Sequence, residues 1–257
     1  MKTDLTFWEH LDELRSVLLH CVIAVALAAC VVFYFKDTVF SLVLAARESP
    51  LLPDLFTPSA DIRLINTELT RQFIIHMMVS AYMGILLVAP YIIWQVYRFV
   101  LPALRANERR YSTPLVCTSY LMFMLGVCFS YFILFPLTYQ FLATYQVDVQ
   151  VENLISLQSY IDTLCFLCLA MGITFQMPVI SWFLGRLGIL SRQVMRRVRR
   201  HAFVVVLIVA AIITPTTDAF TLSIVAFPMY LLYELSILLV PSKGRKTKDE
   251  PLRYEKR

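Results

Sequence analysis

The sequence predicts an all-α polytopic membrane protein, with six transmembrane helices in a kinked, cup-like bundle and both termini in the cytoplasm. Its 257 residues are 59% hydrophobic and 16% charged, whereas about a quarter of the residues of a soluble domain are charged. Residues 111–147 and 163–185 contain no Asp, Glu, Lys or Arg. Apolar stretches of about 18 residues or more are typical of membrane spans.

The six predicted spans are residues 17–35, 73–97, 114–136, 160–184, 201–214 and 219–241. An amphipathic N-terminal segment places Trp8, Leu11 and Leu18 on one helical face and runs into the first span. Three carboxylates within residues 9–13 precede that span, and no small-residue cleavage site follows. The first span is therefore predicted to be retained rather than cleaved as a signal peptide.

Lysine and arginine predict the orientation, because basic residues concentrate on the cytoplasmic side of a membrane. With both termini inside, nineteen of the 23 basic residues lie in cytoplasmic segments and only Lys36, Arg47, Arg63 and Arg71 lie outside. Residues 1–242 are predicted to form a single six-span domain. Residues 243–257 are predicted to be a disordered, basic cytoplasmic tail.

The outer segments differ in length. Residues 36–72 predict an ordered cap with short helices, 137–159 a second loop, and 214–218 a tight turn. The fifth span has only 12 apolar residues, about 18 Å of helix, against a hydrocarbon core of about 30 Å. Four spans contain a proline, which is expected to kink each helix: Pro90, Pro136, Pro178 and Pro228.

Motifs for enzymatic chemistry are missing from the sequence, and we predict a protein that is not an enzyme and binds no metal or cofactor. The four histidines lack ligand spacing, and the six glycines form no phosphate-binding loop. The Cys165-x-x-Cys168 pair is interpreted as helix packing.

Two charged segments are predicted to face the same side of the membrane and to read a basic peptide together. Residues 94–111 contain Glu108 as their only acid, set among four arginines, and residues 7–15 contain Glu9, Asp12 and Glu13. A simpler interpretation of Glu108 is a surface salt bridge to a neighbouring arginine. Acids near the start of a helix also complement its dipole.

Residues 10–15, HLDELR, resemble the H-L-x-E-L-R signature that opens the TatC family, the multispanning receptor subunit of the twin-arginine protein translocase. Phe175–Pro178 is similar to the family's F-E-x-P, and Thr214–Phe220 is similar to its T-P-x-x-D-x-F. The other matching segments, in order along the chain, are Trp94–Phe99, Pro102–Leu104, Glu108–Arg110, Pro228 and Leu232–Glu234.

The resemblance implies a receptor for the S-R-R-x-F-L-K motif of folded cargo, exported across the bacterial cytoplasmic (inner) membrane by the proton-motive force. It implies that Glu13 and Glu108 bind the paired arginines and that Phe99 is an aromatic of the same site. Carboxylates suit this role because guanidinium presents a planar fork that they accept bidentately. The predicted signal-peptide site further includes Leu11, Arg15 and Pro102.

A second set, Gln176, Asp218, Phe220 and Glu234, is predicted to serve transport or partner contacts. The implied partners are single-span TatA- and TatB-like subunits near spans five and six, membrane lipid and further copies of the chain, with no nucleic acid. Asp218 is alternatively a turn residue, and Glu234 alternatively a side chain that snorkels to the interface. Gln176 departs from the family pattern, where many members have Glu.

Two other functions remain open at this point. A secondary transporter or channel for a small solute would predict polar residues clustered in mid-span. A membrane scaffold without a translocation role would need none of the predicted site residues.

Overall fold

The computed structural model describes residues 7–47, 64–66, 68–100, 112–145, 154–214 and 218–241. Two short strands, β1 (Leu64–Ile65) and β2 (Ile155–Ser156), accompany the helices. Pro102, Glu108 and the predicted basic tail lie outside the described residues. The described α-helices are α1 (Phe7–Tyr34), α2 (Lys36–Ala45), α3 (Arg71–Val100), α4 (Ser112–Phe129), α5 (Phe135–Thr144), α6 (Leu157–Thr174), α7 (Met177–Arg186), α8 (Arg192–Arg197), α9 (Arg199–Ile213) and α10 (Ala219–Leu239).

Within the described residues, five helical stretches are long and apolar enough to cross a membrane. They correspond to the predicted spans one to four and six, so the chain is a multi-pass membrane protein. They are Leu11–Tyr34, Arg71–Phe99, Pro114–Thr144, Leu157–Arg186 and Ala219–Leu239. The predicted fifth span coincides with α9, whose 15 residues are about 22 Å long. Its crossing of the membrane stays a prediction.

The third span extends beyond its predicted end. Helix α5 continues to Thr144 and α6 begins at Leu157, so the prediction of a loop over 137–159 is wrong at both ends. Pro136 is compatible with the longer third span, because it occupies the first turn of α5, where a missing backbone N–H leaves no helical hydrogen bond unmade. At the other end of the loop, Ser156 is the N-cap of α6.

The four prolines of the spans act in two ways. Pro90 and Pro228 lie inside α3 and α10, as predicted. Pro136 and Pro178 instead lie in the first turns of α5 and α7, each after an interruption of the helix. A π-helical turn at Ser130–Leu134 precedes α5, and a turn at residues 175–176 precedes α7. The prediction of a simple kink is therefore corrected for these two spans.

Helices α1 and α3 pack antiparallel at Gly84. A Cβ atom on Gly84 would lie 3.0 Å from the backbone nitrogen of Ala29 and 3.1 Å from the carbonyl oxygen of Val25. Further along, the Phe33 ring stacks on His76 with 3.9 Å between ring centroids. We call this end of the bundle, where β1 and β2 also lie, the β end. The opposite end, where α1 begins, is the N-terminal end.

Tyrosines fix helix α2 at the β end. The Tyr131 and Tyr160 hydroxyls donate to the carbonyl oxygens of Leu42 and Val43 at 2.6 and 3.0 Å. These carbonyls belong to the last turn of α2, where many acceptors lack helical partners, although Val43 also accepts from the Ala46 backbone N–H at 3.4 Å. The predicted cap with short helices is confirmed for α2. A parallel pairing of β1 with β2, Leu64 opposite Ile155, connects the segment before α3 to the segment before α6.

Candidate functional site

Helix α1 carries three of the predicted signal-peptide residues at the N-terminal end. The Leu11 and Arg15 side chains are exposed, and Glu13 is half-buried. Glu13 lies 16 residues before Ala29, and Phe99 lies 15 residues beyond Gly84. Both are therefore about 23 Å of helix from the crossing of α1 with α3, which places Glu13 and Phe99 at one depth.

The end of α3 contributes aromatic and basic groups at this depth. The Arg98 guanidinium lies over the Trp94 ring, 5.6 Å from its centroid, and Phe99 is half-buried. Residues 101–111 join α3 to α4 here and lie outside the described residues. The positions of Pro102 and Glu108 therefore stay predictions.

Positive charge concentrates at the N-terminal end. The residues between α7 and α9 lie there, because the Tyr233 hydroxyl of α10 donates to the Met195 carbonyl oxygen at 2.8 Å. Six arginines follow one another in this region of the sequence, Arg186, Arg192, Arg196, Arg197, Arg199 and Arg200, and all but the half-buried Arg192 are exposed. A carboxylate such as Glu13 is thus a minority charge at this end.

Gln176 forms part of a polar cluster within the bundle. Its side-chain amide nitrogen donates to the carbonyl oxygen of Ser119, at 2.9 Å, and bridges the α6–α7 interruption to α4. The Ser119 hydroxyl, fully buried, is 2.9 Å from the Tyr97 hydroxyl of α3. The cluster therefore joins three spans, about 15 Å of helix from Arg186.

Glu234 forms an ion pair near the N-terminal end. Its Oε2 atom accepts from the Arg199 guanidinium at 2.6 Å, and its Oε1 atom accepts from the Tyr230 hydroxyl at 3.1 Å. The pair is partly exposed, with side-chain exposures of 46% for Arg199 and 31% for Glu234. Its contribution to stability is correspondingly modest, about 0.2–1 kcal/mol for exposed pairs.

Asp218 and Phe220 lie at the β end, where α10 begins. The Asp218 carboxylate accepts from the Thr221 backbone N–H at 2.8 Å and from the Thr221 hydroxyl at 2.6 Å. This is the N-cap geometry that satisfies the first donors of a helix, so Asp218 is the N-cap of α10. The predicted turn role of Asp218 stays a prediction, because residues 215–217 lie outside the described residues. The Phe220 ring stacks on Phe141 at the end of α5, with 4.3 Å between centroids.

Comparison with known proteins identifies the family. The family model described as "Sec-independent protein translocase protein (TatC)" matches residues 9–228. The chain belongs to the TatC family. The TatC of Escherichia coli (strain K12) is 35% identical over 244 residues, which cover 93% of this chain and 91% of that protein. The TatC of Blattabacterium is 32% identical over 255 residues, 93% of this chain and 96% of its own.

Solved structures agree with this assignment. Two crystal structures of the twin arginine translocase receptor TatC superpose with TM-scores of 0.77 and 0.78, at 33% and 32% identity. They cover 90% and 91% of this chain, and 97% and 100% of their own. The TatC relatives are thus named as components of a protein translocase, which is a transport family.

The predicted site residues fall into separate places in this TatC fold. Glu13 and Phe99 share the N-terminal end, and Gln176 lies deeper in the bundle. Asp218 marks the β end and Glu234 the N-terminal end, so the second predicted set does not form one site. The partners of these residues, Tyr97, Ser119, Arg199 and Tyr230, are missed by sequence reasoning. No periodic pattern predicts them, because Arg199 and Glu234 are 35 residues apart.

Proposed function

We propose that the protein is the twin-arginine signal-peptide receptor and core of a translocase that exports folded proteins. Glu13 and Glu108 bind the paired arginines of the S-R-R-x-F-L-K motif, with Leu11, Arg15, Phe99 and Pro102 in the same site. The observation that carries the proposal is the shared depth of the half-buried Glu13 and of Phe99. Glu108 belongs to residues 101–111, the part of the chain that joins α3 to α4 at the same end.

The chemistry of a twin-arginine motif suits this end of the molecule. Two guanidinium groups need two carboxylates from separate segments, each able to accept two parallel hydrogen bonds. The surrounding arginines repel any basic peptide. Attraction to such a peptide therefore comes from the few acidic side chains, Glu13 and Glu108. A motif that pairs with both acids is thereby selected over scattered lysines.

The same proposal covers the setting of the receptor. Six spans cross the bacterial cytoplasmic membrane, α9 being the short fifth, and both termini with the basic tail face the cytoplasm. The family resemblance implies that the proton-motive force drives transport, and the sequence has no nucleotide-binding motif that would supply ATP energy instead. TatA- and TatB-like single-span subunits dock along α9 and α10, which the ion pair of Arg199 with Glu234 connects, and several copies of the chain assemble. Gln176, Asp218 and Phe220 act in the transport and partner steps.

Binding of a fluorescent S-R-R-x-F-L-K peptide to the detergent-purified protein tests the receptor role. We expect Glu13→Gln and Glu108→Gln each to weaken binding by roughly tenfold or more, since hydrogen bonds to charged groups contribute about 1.5–3 kcal/mol. A twin-lysine peptide is expected to bind weakly to the wild-type protein.

Glu68→Gln is the matched control. Glu68 is an exposed acid near the β end, and it pairs with Arg71 at 3.4 Å. This variant is expected to bind the peptide like the wild type. Equal binding of the twin-arginine and twin-lysine peptides would contradict the receptor role. If neither Glu13→Gln nor Glu108→Gln weakens peptide binding, the peptide binds at a different site.

A further inference from the structure

A pocket of about 580 Å³ between α3 and α6 faces the β end, away from the predicted signal-peptide site. It is open on one side rather than enclosed. Its walls combine hydroxyl groups, one carboxylate and apolar side chains, contributed by Met78, Tyr82, Ser156, Gln158, Ser159, Asp162, Thr163 and Phe166. Neither the predicted site residues nor the family motifs include any of them.

The carboxylate of this pocket lies within a membrane-spanning stretch. Asp162 is in the second turn of α6, inside the span Leu157–Arg186. Across the pocket, Tyr82 lies six residues past His76, about 9 Å of helix deeper than the Phe33–His76 stack near the end of α1. Asp162 itself directly precedes the charge-free residues 163–185, and an ionised side chain at the edge of a span is a candidate functional position.

Asp162 makes no ion pair and no hydrogen bond with any residue in the described part of the chain. Two carboxylates at the ends of the last span have partners, Arg199 for Glu234 and Thr221 for Asp218. A carboxylate in a span ordinarily pairs with an opposite charge. Within the described residues, the Asp162 carboxylate is thus available to a cationic group of another molecule.

The neighbouring hydroxyls present acceptors to the pocket. The Thr163 hydroxyl donates to the Ser159 carbonyl oxygen at 2.7 Å, so its remaining capacity is for accepting. The Ser156 hydroxyl oxygen accepts from the Ser159 backbone N–H at 3.2 Å and retains a further lone pair as well as its O–H donor. The Asp162 carboxylate is the one charged group of this lining, and it matches a positively charged group that donates hydrogen bonds.

Among cationic groups, a primary ammonium suits this pocket best. Lysine presents three donors as a compact charge on a four-carbon stem, and Met78, Tyr82 and Phe166 provide apolar surface for the stem. Calcium needs six to eight oxygen ligands, commonly from several carboxylates, and this pocket has one. The pocket lies on the membrane side of the helix ends at the β end. A ligand that is itself embedded in the membrane therefore reaches it directly.

We propose that this Asp162 pocket binds the ammonium group of a lysine carried by a second transmembrane helix. The interaction satisfies two charges that are each costly in the membrane, and it orients the partner helix against α3 and α6. It does not depend on the carboxylate site that we propose for signal peptides, so either proposal stands without the other.

The test uses the full-length protein in lipid nanodiscs and a labelled synthetic leucine–alanine transmembrane peptide with one lysine in the leaflet of the β end. Binding is followed by energy transfer. We expect the lysine peptide to bind at least tenfold more tightly than the same peptide with glutamine. Asp162→Asn, which keeps the side-chain shape, is expected to abolish this preference.

Asp37→Asn is the matched control, because Asp37 is an exposed acid in the first turn of α2, also at the β end. It is expected to keep the lysine preference. Asp162→Lys is expected to favour a glutamate peptide, which a purely structural role of Asp162 would not produce. Equal binding of the lysine and glutamine peptides, or a preference that survives Asp162→Asn, overturns the proposal. An arginine peptide that binds as tightly as the lysine peptide overturns the ammonium assignment.

Discussion

At the residue scale, Gln176 shows how one side chain adapts to an interrupted span. Its amide nitrogen donates to the Ser119 carbonyl oxygen, a contact that an uncharged amide makes at any pH. A glutamate at the same position donates this hydrogen bond only when it is protonated. The chain therefore has a permanently neutral donor where the family pattern often has an acid.

Gln176→Glu should make the stability of the protein depend on pH. The ionised carboxylate would face the Ser119 carbonyl oxygen without a donor, and leaving a buried polar group unsatisfied costs about 1–3 kcal/mol. We expect the variant to unfold at a lower temperature than the wild type at pH 8 and to approach it at pH 5. Thermal unfolding followed by tryptophan fluorescence measures this difference.

Gln193→Glu provides the control, since Gln193 is exposed on α8 and a carboxylate there stays in water. Its unfolding temperature should track that of the wild type at both pH values. A Gln176→Glu protein as stable at pH 8 as at pH 5 would show that the contact with Ser119 is unimportant for stability.

Sequence reasoning at this scale succeeds where the cause is local. The cap role of Asp218 was predictable, because its Thr221 partner is three residues away and the turn is rich in Pro and Asp. The ion pair of Glu234 was not, because Arg199 reads as one of several basic residues on the cytoplasmic side. Which arginine meets the acid depends on how α9 and α10 pack.

At the element scale, close helix crossings depend on individual glycines. A Cβ atom on Gly126 of α4 would lie 2.6 Å from the Met171 carbonyl oxygen of α6 and 2.9 Å from the Phe175 side chain. The corresponding distances at Gly84 begin at 3.0 Å. The α4–α6 crossing is thus the tighter of the two, and its nearest neighbour is backbone that moves only with its helix.

Gly126→Ala should destabilise the protein more than Gly84→Ala. Glycine to alanine in a helix interior ordinarily stabilises by up to about 1 kcal/mol, whereas overpacking costs about 1–3 kcal/mol. We expect Gly126→Ala to lower the unfolding temperature clearly and Gly84→Ala to change it less. An equal rise in unfolding temperature for both variants would show that the helices separate freely.

The prolines mark the boundary between local and tertiary causes at this scale. Each was predictable as a disturbance of its span, because proline removes a backbone donor whatever surrounds it. Whether the helix bends through the proline or restarts at it was not predictable. Tyr131, which donates to the Leu42 carbonyl oxygen, belongs to the π-helical turn before Pro136, so a distant contact accompanies that interruption.

At the scale of the whole molecule, span count and orientation follow from different physical causes. Long apolar helices require the membrane. Spans one to four and span six were therefore evident from the composition of the sequence. Orientation depends on the distribution of lysine and arginine across the membrane. Contacts between helices do not determine it. The described arginines between α7 and α9 make the N-terminal end the basic end.

Cysteine labelling in intact cells tests this orientation. In a version with the six native cysteines replaced, Leu69→Cys lies near the β end, where the native side chain is 98% exposed. Gln193→Cys is exposed near the N-terminal end. We expect a membrane-impermeant maleimide to label Leu69→Cys in intact cells and Gln193→Cys only after permeabilisation, because the basic end stays in the cytoplasm.

A permeant maleimide should label both positions and so controls for reactivity. The opposite pattern would place Glu13 and the α3–α4 segment outside the cell, where they could not meet a precursor before its export. Orientation is therefore the condition on which the receptor role depends. It also fixes the leaflet of the Asp162 pocket, since a β end outside the cell requires the partner lysine to lie in the outer leaflet.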